Sequence, residues 1–224
     1  MSPSSPSGGP SADWGSRTKK VLHAAEQHRP DVAPRRDRWR SQTAPRLDVR
    51  KLVFLDQTWA KTNMTRTHGY APTGQRLRAD APHGHWQTTT FVGALRVSGF
   101  IAPVVIDGAI RGERFCAYVE QALVPELRRG DVVVMDNRGR HTVAGVRRAI
   151  EGAGCELLYL PPYRPDLNPI ENAFSKLKRL LRSAAERTVE ALWNRIGQLL
   201  DRFRPDECRN YLRHCGYSYN ATRT

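Results

Sequence analysis

With 224 residues, and 36 Lys and Arg against 22 Asp and Glu for a net charge of +14, the chain has room for one well-cored domain of about 150–180 residues plus an arm, not for two large domains. That charge points to a polyanionic partner, nucleic acid first, since Lys and Arg neutralise phosphates and release counterions, although ribosomal, chromatin-like and membrane-surface proteins share such a composition. No apolar run reaches the length of a membrane span, no signal peptide is seen, and Cys116, Cys155, Cys208 and Cys215 form no CxxC pair, so a membrane-spanning protein and a disulfide framework are excluded and thiols in a reducing cytoplasm are expected.

Residues 1–16, rich in Ser, Pro and Gly, read as a disordered tail. Residues 17–46 read as a basic arm or linker, with a short helical pattern at Val21, Leu22 and Ala25 followed by Pro30, Pro34 and the cluster Arg35, Arg36, Arg38 and Arg40. Its plain reading is a solvated, mobile segment. Its functional reading is an arm that tracks DNA or contacts a dimer partner, which Trp14 and Trp39 among the charges favour. The globular part is expected over 47–217, with 218–224 as a tail.

Lys51 to Asp56 is the first expected strand, and a polar connection punctuated by Gly69, Pro72 and Gly74 follows it. His85 to Arg96 and Phe100 to Ile106, rich in Thr, Val and Phe and separated by Ser98-Gly99, read as two more strands. The pattern then alternates: helix over 113–123, strand over 132–135, helix over 142–151, strand over 156–160, helix over 168–184. Two further helices follow, one over 188–203 opened by Thr188 as a cap and one from Pro205 through Cys208, Tyr211 and Leu212, both as packing elements. The order β-β-β-α-β-α-β-α predicts an α/β fold, a mixed sheet flanked by helices with right-handed crossovers in its parallel part.

Three acids stand out. The apolar runs Leu52-Val53-Phe54-Leu55 and Val132-Val133-Val134-Met135 end abruptly in Asp56 and Asp136, and ligand sites of open α/β sheets gather beyond the carboxyl ends of strands. Glu171 lies in the first turn of the helix that starts near Asn168-Pro169, off the apolar stripe of Ile170, Ala173, Phe174, Leu177, Leu180 and Leu181. Each has an ordinary explanation: Asn168 and Glu171 fit a capping box, and Asp136-Asn137 is common turn chemistry. Three carboxylates from three elements are harder to obtain that way. If they converge they repel one another unless a cation joins them, and hard oxygen ligands select Mg²⁺ or Mn²⁺ over zinc. Two such ions roughly 3.5–4 Å apart would clamp the attacking and leaving oxygens of a phosphoryl displacement. A zinc reading of Cys208, His214 and Cys215 lacks a fourth ligand and the usual spacing.

The segments Phe54-Leu55-Asp56-Gln57-Thr58, Val134-Met135-Asp136-Asn137 with His141, and Leu160-Pro161-Pro162-Tyr163-Arg164-Pro165-Asp166-Leu167-Asn168-Pro169-Ile170-Glu171 closely resemble the catalytic half of insertion-sequence transposases of the IS630 and Tc1/mariner group. The resemblance covers roughly residues 45–217, and the long proline-rich motif is its most specific part. It implies a ribonuclease-H-like fold and a D, D, E triad at Asp56, Asp136 and Glu171, with thirty-four residues between the last two. Gln57 stands where the family usually has Glu, and Arg164 where it usually has Ser.

By the same resemblance the function expected is DNA cleavage and strand transfer of an insertion sequence, with two Mg²⁺ or Mn²⁺ ions at the triad once DNA is bound. A nuclease or resolvase without strand transfer, and a non-catalytic DNA-binding derivative, are the alternatives. Asn137 and His141 would support the metal or substrate, and Arg138, Arg140, Arg164, Lys176, Lys178, Arg179 and Arg182 would meet the DNA backbone. The expected partners are double-stranded DNA, as element ends and target, a separate N-terminal helix-turn-helix product, because residues 1–50 supply no recognition helix, and a second copy in a homodimer. A bacterial cytoplasmic, nucleoid-associated location follows from the same reading.

Overall fold

The computed structural model describes residues 29–218, except 72, 77, 79, 81, 111, 137–142 and 163–164. The expectations for the tails at 1–16 and 219–224, the first part of the arm, and Asn137, Arg138, Arg140, His141 and Arg164 therefore lie outside the described residues.

One five-stranded mixed sheet forms the centre, in the order β3-β2-β1-β4-β5. Strands β1 (Leu52–Lys61), β2 (Thr88–Arg96) and β3 (Gly99–Asp107) are antiparallel neighbours, whereas β4 (Val132–Met135) and β5 (Glu156–Tyr159) run parallel to β1. Helices α2 (Glu113–Tyr118) and α3 (Val143–Gly152) contribute to one face, and α4 (Pro169–Ala184), α5 (Val189–Leu200) and α6 (Pro205–His214) to the other. The chain leaves α2 through a wider π-helical turn at Val119–Leu123 instead of continuing as one α-helix. Among the described residues no helix is long and apolar enough to cross a membrane.

The unbroken apolar runs of β1 and β4 are explained by a core on each side. Leu52, Phe54, Val132 and Val134 pack with Ile170, Phe174 and Leu177 of α4, while Val53, Leu55 and Val133 pack with Val119 and Ile150. Side chains alternate along a strand, so Asp56 and Asp136, each two residues beyond a member of the first set, fall on the α4 face. The parallel register Leu52↔Val132 to Leu55↔Met135 places them one step past its last pair.

Strand β1 is longer than the hydrophobic run suggests. It continues to Lys61 because Asp56 to Lys61 pair with Gly93 to Thr88 of β2, while β4 is matched only to Leu52–Leu55. Arg187 closes that far end by donating to the Thr62 and Met64 carbonyls, at 3.1 and 2.9 Å.

The described part of the expected arm is not a solvated segment. Helix α1 (Ala33–Arg38) and the turn Trp39–Thr43 lie against the main core, with Val32, Trp39 and Ala44 buried. Trp39 Nε1 donates to the Tyr217 hydroxyl at 3.1 Å, and that hydroxyl donates to the Leu167 carbonyl at 2.9 Å. Arg36 and Arg40 both bind Asp166 Oδ2, at 2.8 and 2.6 Å. The arginines and Trp39 that suggested a mobile, DNA-tracking arm are thus in part internal ties, and packing extends upstream of residue 47. Asp131, just ahead of β4, is likewise buried with Arg96 in an ion pair of 2.6 Å and accepts from the Arg128 backbone N–H.

Candidate active site

Asp56 sits where β1 leaves the hydrophobic core. Its Oδ1 accepts from the Gln57 backbone N–H at 2.7 Å, and its Oδ2 accepts from Asn168 Nδ2 at 2.8 Å. The Asn168 half of the capping-box reading does not hold. Asn168 holds the N-cap position of α4 in an extended conformation but its side chain makes no cap hydrogen bond; buried, it crosses to β1 instead. Pro169 suits the first helical position, where its missing N–H would have no helical partner. Asn168 was therefore missed as a site residue because its most economical local role masked a contact over 112 positions.

Burial pushes the Asp56 carboxyl up to about 7; the negative charges of Glu171 and Asp136 add to the rise, and the hydrogen bonds from Gln57 and Asn168 oppose it. Glu171 and Asp136 thus both act electrostatically on Asp56. They do not form a ready cage: among the described residues no three His, Cys, Asp or Glu side chains are grouped closely enough to hold a metal ion. Glu171 is exposed and Asp136 only partly buried, so both can be approached from solvent.

The donor set fits a hard divalent cation: carboxylate oxygens only, with one carboxyl that is costly to ionise until positive charge arrives. The zinc alternative gains no support. Cys208 is buried with its thiol towards the Phe203 carbonyl, and Cys215 accepts from Asn172.

The cations of α4 divide between two sides. Lys178 lies towards the acids: burial lowers its pKa, the charge of Glu171 raises it, and that of Arg182 lowers it. Its Nζ stands 4.2 Å from the centroid of the Trp59 ring. Lys176, expected at DNA, is instead bound to Glu207 and to the Arg202 carbonyl at 2.6 Å, with its ammonium over Phe203, and so fastens α4 to α6. Arg179 is near enough to Tyr211 of α6 to lower that hydroxyl's pKa against larger raising causes. Trp59 and Trp86, both large and exposed, escaped the sequence reading because only apolar runs and charges were informative there.

Among solved structures the fold resembles the mariner Mos1 paired-end complex with Mg (TM-score 0.69, 18% identity, covering 92% of this chain and 68% of that one). It also resembles the Mos1 mariner paired-end complex with Mn (TM-score 0.66, 18% identity, 90% and 63%) and the Mos1 strand transfer complex (TM-score 0.58, 19% identity, 93% and 68%). The chain thus spans 63% to 68% of the length of these transposase chains. No curated protein matches it. Such low identity speaks for the ribonuclease-H-like fold alone, but the sequence model of the DDE superfamily endonucleases matches residues 51–193, from the foot of β1 through α4 into α5, and the chain belongs to that family.

Proposed function

We propose that the chain is the catalytic domain of a DNA transposase, in which Asp56, Asp136 and Glu171 hold divalent Mg²⁺ or Mn²⁺ against a DNA phosphodiester. The observation that carries this reading is the state of Asp56: a carboxyl on the sheet's rim, held by Asn168 and made reluctant to ionise by burial and by two neighbouring acids. A structural acid is ordinarily placed beside a cation; this one is placed beside Glu171 and Asp136. When bound, divalent ions would supply charge neutralisation and activate a water or a 3′-hydroxyl for in-line attack.

The remaining work falls to residues of the chain. Asn168 and the Gln57 N–H fix the orientation of the Asp56 carboxyl before any ligand arrives, so less reorganisation is left for the reacting complex. Lys178, whose charge is felt by Glu171, and Arg182 beside it would meet phosphates flanking the cut, and Arg138, Arg140 and Arg164 are proposed for the same duty. Asn137 and His141 keep their proposed roles beside the metal or the substrate. The partner is double-stranded DNA, first as element end and then as target.

Asp136→Asn removes one metal-binding charge without changing shape. It is expected to abolish Mn²⁺-dependent nicking of DNA taken from the flanks of the chain's own coding element, while leaving DNA affinity in a metal-free gel shift unchanged. Cleavage by the variant would refute the assignment. Cut products that are never joined to a second DNA would instead favour a nuclease of the same fold.

A further inference from the structure

The proline-rich motif ahead of α4 carries a further acid, Asp166, in the short helical turn Pro165–Leu167. An acid in a turn ordinarily accepts from the backbone N–H two residues on. Asp166 does not. The Asn168 N–H donates to the Pro165 carbonyl at 3.4 Å, while Asp166 Oδ2 takes Arg36 at 2.8 Å and Arg40 at 2.6 Å, both from a distant part of the chain. Among the described residues Asp166 Oδ1, shielded from solvent, has no hydrogen-bond partner. The carboxylate is thus placed for the two arginines and not for its own turn. Bonds between a guanidinium and a carboxylate are strong and directional, and Arg36 is only 8% exposed, so solvent screens this pairing little.

Three consecutive residues here are each tied to a remote element. The Asp166 side chain is bound by Arg36 and Arg40, the Leu167 carbonyl accepts from the Tyr217 hydroxyl, which itself accepts from Trp39, and the Asn168 amide donates to Asp56. The first two ties lead back to residues 36–40, and the third leads to the active site. A turn held from one side in this way delivers the Asn168 amide to one place. Without the charge on Asp166 the turn can shift while the buried stripe of α4, from Ile170 to Leu181, keeps the helix packed.

We infer that Asp166 is a positioning residue for cleavage: bound by Arg36 and Arg40, it fixes the turn from which Asn168 orients the Asp56 carboxyl. The inference rests on the proposal that Asp56 holds a divalent ion against DNA, and it extends the frame of the active site to a segment ahead of β1. A shift of about 1 Å in a group that orients a reacting centre can cost about a hundredfold in rate, so a loosened turn is expected to cost about tenfold.

The test measures single-turnover cleavage of element-flank DNA by the full chain in Mn²⁺, well below the lowest melting temperature, for wild type, Asp166→Asn, Arg40→Gln, Asn168→Ala and the Asp166→Asn/Asn168→Ala pair. Asp166→Asn should cut about tenfold more slowly at saturating DNA, with the DNA concentration for half-maximal rate unchanged, and Arg40→Gln, which leaves Arg36 in place, about threefold more slowly. In the Asn168→Ala background Asp166→Asn should cost nothing further, because the residue through which it acts is gone. Losses that multiply, or normal rates in both single variants, overturn the inference. Should Asp166→Asn fail to fold, the same cycle with Arg40→Gln decides. A second readout does not depend on cleavage: in ¹⁵N–¹H spectra the Asn168 side-chain amide, assigned by its loss in Asn168→Ala, should shift in Arg40→Gln and Asp166→Asn, and an amide unmoved in both overturns the inference. A chain that cuts DNA while that amide stays in place refutes this inference alone, whereas an amide that moves in a chain that never cuts refutes the transposase reading.

Discussion

Burial and the charges of Glu171 and Asp136 push the Asp56 carboxyl up to about 7 from an ordinary 3.8, so between those pH values the folded chain keeps a proton that the unfolded chain releases. The sign follows directly. Where the folded state binds more protons, stability falls as pH rises, here through the window from about 4 to about 7 and at up to about 1.4 kcal/mol per pH unit. Asp56→Asn cannot titrate, and its amide still accepts from Gln57 once Asn168 turns its own amide over. The variant should therefore match wild type near pH 4 and exceed it in melting temperature at pH 7.5, while losing cleavage, the exchange expected where a functional acid is held against its own charge. Adding Mn²⁺ at pH 7.5 should narrow that difference by stabilising wild type alone. Melting curves of the two proteins that run parallel from pH 4 to pH 8 would remove the electrostatic basis of the site.

Helix α4 binds the two halves of the site together, and both of its ends depart from the simplest expectation. At its C-terminus Ala185 closes the helix with φ 56, donating its N–H to the Leu181 carbonyl from a left-handed conformation that glycine adopts without strain. Ala185→Gly is accordingly predicted to raise stability by about 0.5–1 kcal/mol, read as a rise in the denaturant midpoint with unchanged slope; a fall would mean that the Ala185 methyl packs usefully. At its N-terminus, Asn168 shows what a sequence conceals. The helix, its Pro169 start and its buried stripe from Ile170 to Leu181 were all legible, because a period of 3.6 is a local property. The partner of the Asn168 amide was not, since capping is equally local and equally plausible, and the choice is made by a strand far away in the chain. Strand parity, by contrast, is a local property: alternation puts Asp56 and Asp136 on one face, provided that the register of β1 with β4 is known.

At the scale of the whole molecule, the chain's strongly basic composition does two different jobs that sequence alone does not separate. Part of it stands half-buried towards the acids, as with Lys178 beside Glu171 and Arg182, and part is consumed in ion pairs within the fold, as with Arg96 at Asp131, Lys176 at Glu207, and Arg36 and Arg40 at Asp166. The N-terminal segment reads as an arm in sequence because arginines and prolines dominate it, and a cation that buries its stem while pairing its head leaves no hydrophobic trace. Trp39 is the anchor that decides the matter. Its ring is 6% exposed within the same core as Phe54, Leu167 and Tyr217, and its indole N–H completes a chain of hydrogen bonds through Tyr217 to the Leu167 carbonyl. Leu167 immediately precedes Asn168, so the segment supports the turn that aims the Asn168 amide at Asp56. Replacing Trp39 by Ala removes a buried indole and leaves the Tyr217 hydroxyl with one partner fewer, a loss of roughly 3–5 kcal/mol. At about 2–4 °C per kcal/mol for a chain of this size, the melting temperature should fall by roughly 6–20 °C. Trp39→Phe should recover part of that loss by refilling the volume without restoring the bond. A free and solvated arm predicts no change for either variant, and a melting temperature equal to wild type for Trp39→Ala would return the segment to that role.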